Sequence, residues 1–168
     1  MKTLLVLGLF CSQTVASRSC LPEKLQKALA KKSDPVERYM LLAKAGEKQA
    51  RKLLYHPGLP GSEAPLEVPW PIAGKQLTTH EIQDLLDCVW SELLENLWHW
   101  KPQSPRDREA VQQMLRRARH ADEMLNERVE SMRELQPSAS ESLPPGSRKP
   151  KSLEVVRDVE ERLYALSK

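Results

Sequence analysis

CVWSELLENLWHW, residues 88–100, gathers one cysteine and three of the chain's four tryptophans into thirteen positions. On a wheel at about 100° per residue, Ile82, Leu86, Val89, Leu93, Leu97 and Trp100 fall within a sector about 80° wide, which predicts a helix with one core-facing stripe. Trp90, Leu94 and Trp98 climb away from Leu86 at about 40°, 80° and 120°, widening the apolar face to roughly 180°. A face that broad either touches two neighbouring helices or leaves an exposed edge, so Trp90, Leu94 and Trp98 are the candidate partner-binding residues. Cys88 falls at about 200°, on the far side from the stripe. An outward cysteine fits a disulfide that draws Cys20 and the N-terminal segment across this helix.

The elements on either side extend the helical pattern. Thr78-Thr79-His80-Glu81 has the form of a capping box at the start of the tryptophan-rich helix, and Pro102 stops it near Trp100 by disfavouring helical geometry at Lys101. Ser104-Pro105 opens a long helix to about residue 136. Its seam is Val111, Met114, Ala118, Ala121, Leu125, Met132 and Leu135, interrupted by Arg128. The connection between these two helices is so short that they are expected to lie antiparallel as a hairpin.

Upstream, Leu21 to Lys32 reads as a short basic helix. Asp34-Pro35 caps and starts the next, which runs to about Tyr55 with Val36, Met40, Ala43, Ala50 and Leu54 on one face. Residues 56–76 hold five prolines and read as a polyproline-like crossover, with Trp70 between Pro69 and Pro71 pinning it to the bundle. By composition, 137–151 is a mobile linker. Ser152 is expected to cap a last amphipathic helix with Leu153, Val156, Val159, Leu163 and Leu166 on one stripe, either docked or hanging free.

The first residues set the compartment. Lys2, an apolar run from Leu4 to Cys11, and small residues at Thr14, Ala16 and Ser17 have the order of a secretory signal peptide cleaved after Ala16 or Ser17. Eight apolar residues fall far short of the roughly 20 that span a bilayer. Loss of Lys2 takes the formal net charge from +3 to about +2, too balanced to make a case for nucleic acid or an anionic membrane over the whole surface. Cleavage also removes Cys11 and leaves Cys20 and Cys88, for which only one intramolecular pairing exists. Only one phenylalanine, Phe10, is present, and mean hydropathy is −0.55, so a modest leucine-based helical core is expected.

The four histidines, 56, 80, 99 and 120, show no i, i+4 pairing, and the two mature cysteines are far apart, so no metal or other cofactor is expected. No nucleophile elbow, phosphate loop or HExxH motif occurs; an enzyme is not expected, nor a small-molecule ligand. Arg116-Arg117-Ala118-Arg119-His120 is the densest basic run. Arg116, Arg117 and Arg119 read as a solvated face, as a polyanion site such as one for heparin, or as a processing site cut after Arg119.

Val36-Glu37-Arg38-Tyr39-Met40-Leu41-Leu42-Ala43-Lys44-Ala45 resembles, over these ten residues, the first helix of erythropoietin-type cytokines. The resemblance implies a receptor-binding helical ligand. The chain departs from that family in its cysteine number, its lack of Asn-x-Ser/Thr sites, and its short third connection, where an up-up-down-down bundle uses a long one.

The expected architecture is therefore all-α: a signal peptide at 1–16, a helical bundle at 17–136, the linker at 137–151 and a C-terminal amphipathic helix at 152–168, with four to five helices in all. The expected function is that of a secreted protein-interaction protein, a cytokine-like or receptor-binding ligand whose partner is an extracellular or cell-surface protein. A precursor processed at basic sites and a small secreted enzyme are the alternatives.

Overall fold

The computed structural model describes residues 20–55, 79–135 and 151–168. The first residues read as a signal peptide, the proline-rich stretch with Trp70, Thr78 of the expected capping box and nearly all of the stretch read as a linker lie outside the described residues. Five helices make up the described fold: α1 (Glu23–Ala30), α2 (Pro35–Leu54), α3 (Thr79–His99), α4 (Pro105–Leu135) and α5 (Lys151–Leu166).

Local chemistry sets the helix starts. Asp34 accepts a hydrogen bond from the Val36 amide at 2.9 Å, with Pro35 in the first turn, where no amide donor is needed. At α4 the cap is reciprocal. The Asp107 amide donates to Ser104 Oγ at 3.0 Å, while Asp107 Oδ2 accepts from the amides of Gln103 and Ser104. Those amides, Gln103's foremost, hold the Asp107 carboxyl below its ordinary pKa. Ser152 does not cap α5. The helix already starts at Lys151, and Ser152 is buried within its first turn.

The four long helices form a ring. α2 packs on α3 and α4, and α5 packs on the same two from the other side. Directions follow from cross-helix contacts. Asp34 meets Arg106, and Glu47 meets Arg117 and His120, so α2 and α4 run parallel. Tyr39 meets Trp100, and Gly46 lies under Trp90, so α2 and α3 are antiparallel. Arg157 reaches back to Asp122 and Asn126, and Glu160, three residues on, lies in the field of Arg119, so α5 opposes α4.

The four helices thus alternate up, down, up, down, which is not the up-up-down-down course that the likeness of α2 to a cytokine helix implies. α3 and α4 do run antiparallel, as expected, but not as a side-by-side hairpin; they face each other across the diagonal. The five residues from 100 to 104, extended at about 3.3 Å each, reach roughly 17 Å, well beyond the 8–10 Å between neighbouring helix axes. A short connection therefore did not enforce adjacency.

The core confirms the α3 stripe: Ile82, Leu86, Val89, Leu93 and Leu97 are buried, with Trp100 partly so. From α4 it takes Val111, Met114, Ala118, Ala121 and Leu125. From α5 it takes Leu153, Val156, Val159 and Leu163, so the last helix docks and is part of the same core. On α2, Val36, Ala43 and Ala50 are buried as their spacing predicts, but so are Leu42, Gly46 and Leu53. The helix has two buried facets because it sits between α3 and α4.

Candidate interaction surfaces

The tryptophan edge is not one surface. Trp90 has no exposed area, and its indole lies on Gly46 of α2, so the expectation that it contacts a partner is corrected: it is a core residue. Leu94 is half-buried and packs against the core. Only Trp98 is open, at 60% exposure. The reason lies in the wheel. At about 60° from the centre of the stripe an indole still reaches the neighbouring helix, whereas at about 140° it clears it.

Trp98 is held in place by a residue that the sequence pattern did not single out. Arg162 of α5 stands over the indole, its guanidinium carbon 4.9 Å from the ring centroid. The same guanidinium donates to the Leu97 carbonyl at 3.0 Å and the Trp98 carbonyl at 3.3 Å. A helix leaves its last carbonyls without partners, and a cation there also favours the negative end of the dipole. Arg162 therefore caps α3 from another helix. Replacing Arg162 by alanine is expected to lower stability by about 1.5–3 kcal/mol, the range for hydrogen bonds from a charged donor, read from urea unfolding. A loss no greater than that of an exposed charge such as Arg108→Ala would show that the cap is not made.

Among the described residues, the other large exposed apolar side chains are Tyr55 and Tyr164. Tyr164 carries Lys168 over its ring at 4.6 Å but stands two residues from Arg162, on the opposite flank of α5. It does not extend the Trp98 surface.

The disulfide joins Cys20 and Cys88, whose Cα atoms are 5.9 Å apart. Cys88 is buried even though it sits opposite the core stripe, since the staple brings Cys20 and the buried Leu21 onto that side of α3.

The basic run divides between two flanks of α4. Arg117 turns toward α2 and donates to Glu47 Oε2, and His120 Nδ1 lies 2.8 Å from the other oxygen of the same carboxylate. Arg51 adds a second arginine at 3.7 Å. Arg119 lies on the α5 side, where it counters the burial that raises the Glu160 carboxyl. Arg116 is exposed and lines a cleft with Arg117, His120, Gln113 and Glu47. As to processing after Arg119, Ala118 and Ala121 on either side are buried in the helix, so a protease would first have to unwind α4.

Glu47 is the hub of this cluster and has the clearest pH signature. Burial raises its carboxyl pKa, but the hydrogen bonds from His120 and Arg117 and their charges outweigh it, and the net shift is downward. A lowered folded-state value means Glu47 adds stability above the ordinary glutamate pKa of about 4.3. That contribution is lost as pH falls through the lowered value. Glu160 has the opposite sign: burial first, then the nearby carboxylates, Asp122 above all, raise it, so protonation favours its folded form. Glu47→Gln should therefore lose stability at neutral pH and show a smaller fall between neutral and acid pH than the parent. Parallel acid limbs for parent and variant would contradict this.

Among the described residues, no group of three His, Cys, Asp or Glu side chains could hold a metal ion, and no helix is long and apolar enough to cross a membrane. Compared with known proteins, the chain matches no family model, no curated protein and no solved structure.

Proposed function

We propose that this is a secreted protein-interaction protein that docks on an extracellular or cell-surface protein through the α3–α5 edge centred on Trp98. One observation carries the reading: a tryptophan left 60% exposed while a cation from a neighbouring helix orients its ring. Tryptophan and arginine are enriched where binding energy concentrates, and a ring already held in place loses less conformational freedom on binding. The partner's complementary surface is an apolar pocket for the indole, rimmed by a carboxylate for Arg162. Secretion is supported by the signal-like first residues and by the Cys20–Cys88 disulfide, a bond that persists in oxidising compartments.

Proximity labelling or co-purification with the tagged secreted protein tests this. Recovery of one cell-surface protein is expected, lost with Trp98→Ala and retained with Tyr55→Ala, which removes an even more exposed aromatic elsewhere. Unchanged recovery with a folded Trp98→Ala variant rejects the edge.

A further inference from the structure

The parallel pair α2 and α4 leaves a groove between them that no other described helix covers. Val36, Met40 and Ala110 lie along it, and it continues, through Gln113 and Arg117, into the cleft of about 380 Å³ beside Glu47. Its two ends differ in charge. At the N-terminal end Arg106 is met by Asp34 and Glu37, and Lys32 by Glu37, so cations and carboxylates balance. At the other end the cations Lys44, Arg51, Arg116 and Arg117, with the His120 imidazole beside them, outnumber the carboxylates that line the cleft there, Glu47 and Glu109. Glu47, its side chain 14% exposed, gathers Arg51, Arg117 and the His120 imidazole around one carboxylate, which fixes their positions while two arginines share a single negative charge.

We propose that this end of the α2–α4 groove binds a sulfated polysaccharide, with Lys44, Arg116 and Arg117 contacting its sulfate groups. A chain polyanion fits the shape as well as the sign. Arg117 is recessed, at 34% side-chain exposure, between two helices, where a narrow linear chain can reach it and a flat lipid surface cannot. Arginine's planar fork suits the oxygens of an anionic group, and Glu47 pre-orders Arg117 for that role. Arg119, on the α5 side, takes no part. The proposal stands apart from the Trp98 edge.

Heparin affinity of the folded, disulfide-bonded protein is the test, measured at physiological ionic strength with a heparin oligosaccharide as probe. Lys44→Ala with Arg116→Ala, both exposed positions, should weaken binding on the order of tenfold, each contact supplying a modest share. The charge-matched pair Lys24→Ala with Arg38→Ala, on α1 and on the other flank of α2, should leave binding within about twofold. Trp98→Ala should leave it unchanged. Equal losses from the two pairs would reduce the effect to overall charge and overturn the site. So would absence of heparin binding by the parent, or binding to phosphatidylserine vesicles that heparin does not displace.

Discussion

Trp90→Ala is expected to cost about 3–5 kcal/mol in equilibrium unfolding, the range for deleting a fully buried aromatic. Trp90 has no exposed surface, and its indole lies directly on the backbone of Gly46, where α2 and α3 cross. The glycine is what lets the ring in. A Cβ at position 46 would stand 2.7 Å from the indole Cζ2 and 2.8 Å from Nε1, closer than side-chain carbons tolerate. In an exposed helix, glycine to alanine stabilises by about 1 kcal/mol, because alanine loses less backbone entropy. Here Gly46→Ala should instead destabilise by about 1–3 kcal/mol, since a packed ring and a helix backbone must move apart. The sign should reverse once Trp90 is alanine, with Gly46→Ala then gaining up to about 1 kcal/mol. A Gly46→Ala that stabilises the parent protein would show that ring and glycine are not in contact.

Removing the disulfide is expected to have an effect of similar size. Cys20 and Cys88 are 68 residues apart, and a loop of that length contributes about 4 kcal/mol through the restricted unfolded chain, with measured values commonly 2–4 kcal/mol. Cys20→Ser with Cys88→Ser also releases the segment carrying the buried Leu21 and leaves a hydroxyl at the buried position 88. A fall in melting temperature on the order of 10 °C follows for a chain of this size. Reduction of the parent with dithiothreitol should reproduce most of that loss. If the double variant melts within about 2 °C of the parent, the staple adds nothing to stability.

These two effects differ in how visible they are in the sequence. The cysteine pair follows from elimination: a signal-like start that carries one of three cysteines leaves two. Glycine 46 carries no such mark. It stands inside a run with helical spacing, where a glycine reads only as a weakness, and its partner lies 44 positions away on another helix. Trp90's angle fits either a second neighbouring helix or an exposed edge, and the wheel alone does not choose between them. An angle describes where a residue leaves its own helix, not what stands opposite. Arg162 and Glu47 carry no mark in the sequence because each is one charge among many on its helix, and their roles arise from carbonyls and basic side chains that a different element supplies.

By itself, the sequence determined the helices, the cap at Asp34, the start of α4 at Ser104-Pro105, the core stripes of α3 and α5 and that of α4 from Val111 to Leu125, and the Cys20–Cys88 pairing. All of these rest on interactions within a few residues or on a count of two thiols. Only the tertiary structure decided that α4 neighbours α2 and α5 rather than α3, that Trp90 enters the core while Trp98 stays outside, and that the arginine run divides between two flanks of one helix. The physical reason is common to all three. Periodicity gives each helix an apolar face, but several arrangements of amphipathic helices can bury the same faces. Which arrangement wins depends on how particular side chains fit, as Trp90 fits over Gly46 and Arg162 over the end of α3.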